Sequence, residues 1–269
     1  MDGILLIDKG IGISSFGVLA RLRRHLPPGK IGHGGTLDPL ATGLLLVLLG
    51  RATKLSAELA AGNKIYEAII RLGYSTATDD REGNFLCGGH FPRVGEEDIL
   101  RALPEFLGRQ MQTPPQFCAK KIGGVAAYKF ARKGLRRDLP AGEIRIHSLR
   151  PLAWSAPLLH LEISCSKGTY VRSLARDLGE RLRCPAHLHA LRRTGIGEFS
   201  VRDAGTLSAL ENLLQSAPSD FSSWLSNGKH ATDHFNPRLK SISNRFTGST
   251  DSAKGKLIMF KNINNPPAI

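Results

Sequence analysis

Residues 32–47 read GHGGTLDPLATGLLLV, a loop rich in turn-forming residues that runs directly into an apolar segment. The loop, residues 32–43, contains four glycines, one proline and a single carboxylate, that of Asp38. Glycine adopts backbone conformations closed to other residues, so such a loop can hold one side chain in a fixed place. The same composition also suits a glycine-rich turn around a solvated aspartate, and the loop by itself leaves both interpretations open.

Secondary structure can be predicted outward from this loop. Residues 44–49 form an apolar run short enough for a central strand, and residues 3–8, GILLID, predict a buried strand. A helix is expected from an N-cap at Ser14 or Ser15 through Leu22, stopped by Pro27 and Pro28, because serine is a preferred cap and proline ends a helix. Residues 51–61 are also expected to be helical.

Two later segments, residues 64–72 and 159–165, alternate between apolar and polar residues, which is typical of half-buried strands. The inward face of the first segment includes Tyr66. After the second segment a helix is expected to begin at Thr169, because apolar residues then recur with helical spacing. Strands and helices thus intermix without regular βαβ repetition, which predicts an α+β fold with a mixed sheet.

Charge restricts the class of partner. The 269 residues carry a formal net charge of +14, and a field of this strength attracts polyanions, so nucleic acid is the expected partner. No apolar run approaches the roughly 20 residues that span a bilayer. Near the N-terminus an acidic residue, Asp2, stands where a signal peptide has basic ones, and the apolar run that follows is short. We therefore expect a cytoplasmic protein without a membrane partner.

No metal site is expected from the spacing of potential ligands. The four cysteines lie far apart along the chain, without the close pairs that build zinc sites, and are expected to be free buried thiols. His187 and His189 form an isolated HxH without a neighbouring cysteine or carboxylate.

The loop and five further segments, in the same order along the chain, resemble the TruB family of tRNA pseudouridine synthases of bacterial type. The five segments are DKGIGISS (8–15), KIYEAIIRLG (64–73), PPQFCAKKIGGVAAYKFARKG (114–134), SKGTYVRSLARDLG (166–179) and HLHALRRTGIGEF (187–199). The resemblance covers roughly residues 3–205. This chain departs from the family pattern at Gly10, Gly34, Ala77 and Cys118, none of which matches a catalytic position.

The resemblance implies the pseudouridine synthase fold, with a mixed, mostly antiparallel central sheet, flanking helices and an RNA-contacting flap over about residues 114–142. It implies isomerisation of uridine to pseudouridine at position 55, in the TΨC loop of tRNA, with the target base flipped out. Asp38 matches the family's catalytic aspartate, which would attack C1′ or help remove the C2′ proton. Because nothing is oxidised, reduced or released, no cofactor is expected.

Five more residues match family positions around the catalytic carboxylate. Arg172 would pair with that carboxylate, Tyr66 would stack on the target base, and Leu191 would pack against the uracil. His33 would fill the space that the flipped base leaves. Lys9 would support the loop structurally, although a solvated lysine after a strand is an equally good interpretation of that position.

The flap has the composition of a surface that contacts RNA, because basic and aromatic residues are interleaved there. A charge cluster is also common on a merely solvated face. The residues concerned are Lys120, Lys121, Lys129, Arg132, Lys133, Arg136 and Arg137, with Phe117, Tyr128 and Phe130.

We predict a catalytic domain over residues 1–210 and a C-terminal appendage over residues 211–269. From about residue 217 the sequence is rich in Ser, Asn, Gly and Lys, and its apolar periodicity disappears, which predicts at best weak folding. A monomer that binds the T-arm stem-loop of tRNA is expected.

Other functions compete with this interpretation, and the nearest is a synthase that acts on a different uridine. A non-catalytic RNA-binding or RNA-folding protein on the same scaffold would not need Asp38, Tyr66, Arg172 and Leu191 together. Guide-dependent archaeal and eukaryotic relatives carry a C-terminal RNA-binding PUA domain, which residues 217–269 do not visibly supply. A dinucleotide-binding turn at residues 9–14 lacks its third glycine, and no GxxxxGK[ST] loop is present.

Overall fold

The structure is a computed structural model that describes residues 2–88, 94–216 and 258–260. The chain divides into two compact units. Unit 1 combines Met1–Ala61 with Arg193–Ile269, and unit 2 is Gly62–Arg192. The longer strand pairs within each unit are antiparallel and helices accompany them, which confirms the predicted α+β class.

The helices and strands follow one another in an irregular order. As far as Gly88 they are β1 (Gly3–Lys9), α1 (Ser15–Leu22), β2 (Ile31–His33), β3 (Thr42–Leu49), α2 (Ser56–Ala61), β4 (Lys64–Leu72), β5 (Tyr74–Thr76) and β6 (Phe85–Gly88). From Val94 they are α3 (Glu96–Ala102), β7 (Gly108–Gln112), β8 (Lys121–Ile122), β9 (Val125–Ala126), α4 (Ala127–Ala131), β10 (Gly142–Ser155), β11 (Leu158–Cys165), α5 (Val171–Arg181), β12 (Ala186–Ile196), β13 (Phe199–Ser200), β14 (Gly205–Thr206), α6 (Leu207–Ser216) and β15 (Ile258–Phe260). Short 3₁₀ helices cover Gly50–Leu55, Leu103–Phe106 and Val201–Asp203.

Unit 1 is built on the pairing of β1 with β3. The two strands are antiparallel from Gly3 opposite Leu49 to Lys9 opposite Gly43. Alternate residues of both strands enter two separate hydrophobic clusters, one of which also contains apolar residues of α1 and α6. The strands are therefore covered on both faces, which explains why residues 44–49 lack polar alternation and confirms their prediction as a central strand.

Helix α1 has the predicted cap and extends through Leu22 as expected. The Ser14 hydroxyl accepts a hydrogen bond of 3.0 Å from the Gly17 amide, so Ser14 is the N-cap. The helix ends at Leu22, before Pro27. Residues 51–61 are helical as predicted, with the tighter 3₁₀ form over their first half.

The strands of unit 2 confirm the alternation seen in the sequence. Strands β4, β11, β10 and β7 pair in that order, each antiparallel to the next. The inward residues of β4 and β11 are buried: Tyr66, Ala68, Ile70 and Leu72, and Leu159, Leu161, Ile163 and Cys165.

The start of α5 corrects one expectation. The helix begins at Val171 with Tyr170 as its cap residue, and the Thr169 hydroxyl donates to the Ser166 carbonyl at 3.0 Å. Arg172 still lies in the first turn of the helix.

The cysteines correct another expectation. Cys118, Cys165 and Cys184 are buried free thiols, but Cys87 is exposed, since it lies on β6, whose four residues are all exposed. Burial raises the pKa of the Cys165 thiol to about 11, so this thiol stays protonated near neutral pH.

The predicted C-terminal appendage lies largely outside the described residues. Its described parts are the end of α6 and β15, which pairs in parallel with the first residues of β1. Strand β14 pairs in parallel with the other end of β1. In the described part of the chain, no helix is long and apolar enough to cross a membrane.

Candidate active site

The Asp38 loop connects β2 with β3 and is bonded at several points to other parts of unit 1. The Gly34 amide donates to the Leu46 carbonyl at 2.9 Å, before the carboxylate in the chain. The Ser15 hydroxyl exchanges hydrogen bonds of 2.8 and 3.0 Å with the backbone of Leu37. The Gly12 amide donates to the Pro39 carbonyl at 2.8 Å. The backbone on both sides of Asp38 is thus held, which fits a loop that presents one carboxylate.

Lys9 is fully buried at the end of β1. Its ammonium donates to the carbonyl groups of Ile13 at 2.7 Å, Gly10 at 2.9 Å and Pro39 at 3.4 Å. The last of these belongs to the residue directly after Asp38. A solvated lysine does not fit this burial, whereas support of the loop does.

His33 lies at the start of the loop and is half-buried. Burial lowers the pKa of its imidazole, and the nearby positive charge of Arg193 lowers it further. Its Nδ1 is buried and makes no hydrogen bond within the described residues. The ring is therefore neutral near pH 7.

Arg193 is a member of this site that the sequence did not single out. Its side chain is buried, and its guanidinium donates to three carbonyl groups of the loop and of the strand that follows it. In the sequence, Arg193 is visible only as the second arginine of the LRR segment. Because arginine is usually exposed, its presence there did not indicate a buried residue.

In unit 2, Arg172 is buried at the start of α5 and bonds to two separate segments. Its guanidinium donates to the Thr78 carbonyl at 3.2 Å and to the Phe117 carbonyl at 3.0 Å. Its Nε lies 3.6 Å from a carboxylate oxygen of Asp80, and each of the two side chains is 6% exposed. The expected pairing of Arg172 with Asp38 stays a prediction.

Asp80 is a second residue that the sequence did not reveal. Besides facing Arg172, its carboxylate accepts hydrogen bonds from the Thr78 hydroxyl at 2.6 Å and the Glu82 amide at 3.0 Å. The preceding Asp79 accepts from Arg176 of α5 at 3.1 Å. Two consecutive carboxylates thus fix one turn against one helix, and the DD pair in TATDDREG was the only trace of this in the sequence.

Tyr66 and Leu191 lie on strands of unit 2. Tyr66 is 8% exposed on the apolar face of β4, and Leu191 is half-buried on β12. An inward-facing tyrosine suits base stacking and a structural core equally. The structure therefore places Asp38, His33 and Lys9 in unit 1, and Tyr66, Arg172 and Leu191 in unit 2.

The HxH pair lies on β12. His187 is fully buried, and its Nδ1 is 3.0 Å from the Tyr74 carbonyl. Burial lowers the pKa of both His187 and His189. Within the described ranges, no group of three or more His, Cys, Asp or Glu side chains is arranged to hold a metal ion.

The predicted flap contains the β8–β9 hairpin and α4 above a small apolar cluster of Cys118, Ala127 and Leu139. The Gln116 side chain exchanges hydrogen bonds of 2.9 and 3.0 Å with the backbone of Arg137, which ties the two ends of the segment together. Six of the seven basic residues are exposed: Lys121, Lys129, Arg132, Lys133, Arg136 and Arg137. A polyanion could therefore reach them.

Comparison with known protein families gives two matches that together cover most of the chain. The profile described as TruB family pseudouridylate synthase (N terminal domain) matches residues 23–171. The profile described as tRNA pseudouridylate synthase B C-terminal domain matches residues 172–226.

Individual proteins are similar over a comparable length. The tRNA pseudouridine synthase B of Opitutus terrae is 46% identical over 213 residues, which are 79% of this chain and 88% of that protein. The tRNA pseudouridine synthase B of Bordetella avium is 42% identical over 213 residues, 78% of this chain and 87% of that protein.

Two solved structures share the fold. A chain of a Cbf5–Nop10–Gar1 complex superposes with a TM-score of 0.57 at 29% identity, over 74% of this chain and 50% of that one. A chain of the archaeal box H/ACA sRNP Nop10–Cbf5 complex superposes with a TM-score of 0.59 at 27% identity, over 79% of this chain and 54% of that one. The chain spans about half the length of these two solved chains.

The buried pair of Arg172 and Asp80 leads to a prediction about stability. We expect Asp80→Asn to lower the free energy of unfolding by about 3 kcal/mol or more, because a buried ion pair loses one charge. Urea unfolding followed by circular dichroism measures this. The control is Glu162→Gln, in the more exposed pair with Arg150, which should cost less than about 1 kcal/mol. Equal effects of the two substitutions would contradict the structural importance of Asp80.

The burial of His33 leads to a prediction about pH. In the folded protein the pKa of the His33 imidazole should lie below its ordinary value of 6.5, and in urea-unfolded protein the pKa should return to about 6.5. As the pH falls, the unfolded state therefore binds the proton at a higher pH than the folded state does. The contribution of His33 to the free energy of unfolding then decreases as the pH drops below about 6.5. NMR titration of ¹³C-labelled histidines, with His33→Gln for assignment, measures the midpoint. A midpoint above 6.5 in the folded protein would contradict the predicted burial.

Proposed function

Because the chain belongs to the TruB family of pseudouridylate synthases, we propose that it converts uridine to pseudouridine in the TΨC loop of tRNA with Asp38 as the catalytic carboxylate. The observation that carries the proposal is the loop itself. It retains the GTLDP segment of the family, and its backbone is bonded on both sides of Asp38. The relatives named tRNA pseudouridine synthase B supply the substrate class.

The reaction requires one well-placed carboxylate and little else. The C1′–N1 glycosidic bond breaks, the uracil turns while it is still enclosed, and a C1′–C5 bond forms. The proton on C5 leaves and N1 gains one, so the product is an isomer of the substrate. Asp38 would attack C1′ and later depart, or would help remove a C2′ proton and return it. Neither route needs a cofactor or metal.

A fixed carboxylate is an advantage in this reaction because the base must be detached from C1′, turned, and rejoined to the same carbon atom. Correct placement of reacting groups contributes several kcal/mol to catalysis, and a displacement of about 1 Å can cost a hundredfold in rate. In unit 1, the buried ammonium of Lys9 supports the loop directly after Asp38. We assign His33 to the space that the flipped base vacates.

The residues of unit 2 would act on the base and the carboxylate. We assign Tyr66 to stacking on the uracil and Leu191 to apolar contact with it, because both belong to segments that resemble the family. We assign Arg172 to pairing with Asp38, which would keep the carboxylate ionised. The planar guanidinium of Arg172 is already oriented by the Thr78 and Phe117 carbonyl groups.

Binding of tRNA would depend on exposed positive charge. The net charge of +14 attracts RNA from a distance, and the six exposed basic residues of the flap give phosphate groups a place to bind. Within the flap, the guanidinium of Arg132 lies 5.2 Å from the Tyr128 ring centre and that of Arg137 lies 4.9 Å from the Phe130 ring centre. We propose a monomer that acts on tRNA in the cytoplasm.

The first test of this function uses an isolated T-arm hairpin, because RNA of this kind is recognised by loop shape and splayed bases. The protein should form pseudouridine in the hairpin, and Asp38→Asn should abolish this while changing RNA affinity by no more than a few fold. Carbodiimide labelling followed by mass spectrometry locates the product. Glu58→Gln, which removes an exposed carboxylate of unit 1, is the control and should remain active. Turnover by Asp38→Asn would refute the assignment, and binding without turnover by the wild type would favour the non-catalytic alternative.

A second test concerns the C-terminal residues 217–269, which carry seven basic and three acidic side chains. Replacing the seven basic residues by Gln should weaken tRNA binding and flatten its salt dependence, by about 0.7–0.9 in the log–log slope for each lost phosphate contact. The saturated single-turnover rate should not change. The residues are Lys229, Arg238, Lys240, Arg245, Lys254, Lys256 and Lys261, against Asp220, Asp233 and Asp251.

The replacement variant should be compared with a deletion of residues 217–269, which also removes β15 and its pairing with β1. We expect the deleted protein to remain folded and active. Its tRNA binding should show the same flatter salt dependence as that of the replacement variant. An unchanged slope in both variants would show that these charges do not touch the RNA. Loss of the saturated rate in the deleted protein would assign the C-terminal residues to the catalytic domain.

A further inference from the structure

We infer that Arg193 is a positioning residue that clamps the two arms of the Asp38 loop together, and that this clamp determines the rate of the chemical step. The inference rests on the proposed function for the identity of that step. The clamp itself is defined by contacts within unit 1 and can be tested separately.

The geometry of the clamp is that of one guanidinium shared between the two sides of the catalytic residue. Arg193 is 1% exposed. Its Nη2 donates to the Gly35 carbonyl at 3.0 Å, and its Nη1 donates to the Thr36 carbonyl at 3.3 Å, both before Asp38 in the chain. Its Nε donates to the Leu44 carbonyl at 2.8 Å, after the loop. A single planar group therefore fixes the separation of the two arms.

The backbone of Arg193 approaches the same loop closely. Gly43 has φ +97°, and a Cβ atom built on it would lie 2.2 Å from the Arg193 carbonyl oxygen and 2.8 Å from the Arg193 nitrogen. Only glycine fits both the backbone angle and the space. Gly35, whose carbonyl the side chain binds, also has a positive φ, +126°. The glycines at both ends of the loop thus allow its contacts with Arg193.

The contacts require arginine rather than any cation. Guanidinium offers five donors in a fixed plane, whereas a lysine ammonium is a compact group at the end of a flexible chain. In Arg193 the Nε serves one arm and the two Nη atoms serve the other, and the single nitrogen of a lysine cannot occupy all three places at once. The carbonyl groups that lose their donor would cost free energy, most of all that of Leu44 because its hydrogen bond is buried, and the arms would be free to separate.

Arg193 also acts at a different place from Lys9. Lys9 bonds to the carbonyl of Pro39, beside the catalytic residue, whereas Arg193 bonds to residues farther out on each arm. With Lys9 intact, loss of the clamp should leave the loop present but less well placed. The result should be a slower chemical step with nearly unchanged RNA binding.

The test compares full-length wild type, Arg193→Lys and Arg202→Lys, the last being an exposed arginine of the same unit as a matched control. Single-turnover rates at saturating enzyme and affinities are measured with the T-arm hairpin. For Arg193→Lys we expect a rate at least about a hundredfold lower and an affinity within about threefold. For Arg202→Lys both values should match the wild type.

Hydrogen–deuterium exchange shows whether the effect is local. Peptides covering residues 33–45 should exchange faster in Arg193→Lys, while peptides from β4 and β11 should be unchanged. A wild-type rate in Arg193→Lys, a loss confined to affinity, or unfolding of the whole protein would each overturn the inference. If the wild type forms no pseudouridine, the proposed function fails, but the exchange comparison still decides whether the clamp exists.

Discussion

The loop that carries Asp38 depends on side-chain donors for backbone carbonyl groups of the loop and of the residues next to it. A carbonyl group that is taken out of water, even in part, costs free energy when it has no donor. Here two buried cations, Lys9 and Arg193, supply several of those donors. The carbonyl dipoles in turn compensate the burial of positive charge. The glycine-rich backbone and the buried cations are therefore parts of one arrangement.

These donors come from strands, which makes the loop more rigid than its composition suggests. Lys9 ends β1 and Arg193 lies on β12, while the loop runs directly into β3. The pairing of β1 with β3 is covered by apolar residues on both faces. A site held by side chains from such strands is more precise than one held by other loops. The strands that are held in place by the hydrophobic packing of unit 1 therefore also hold the carboxylate of Asp38 in place.

Features that depend on residues close together in the chain could be predicted from the sequence, whereas contacts between residues far apart in the chain could not. Alternation identified β4 and β11, and the Ser14 cap was recognisable, because each depends on a few adjacent residues. Arg193 bonds to Leu44 across 149 residues, and Arg172 bonds to Thr78 across 94. No local pattern separates such an arginine from an exposed one. Asp38 was identified only because its loop resembles a known family.

The positive charge of this protein consists of two populations with different physical roles. Arg172 and Arg193 are buried and bond to backbone carbonyl groups, which uses the planar shape of the guanidinium group, and Arg172 also faces the carboxylate of Asp80. In the flap, exposed lysines and arginines occur side by side, and there charge alone would be enough to attract a polyanion. Salt screens exposed charges strongly and buried ones far less. Ionic strength should therefore govern how much RNA is bound, whereas the roles proposed for the two buried arginines concern RNA that has already bound.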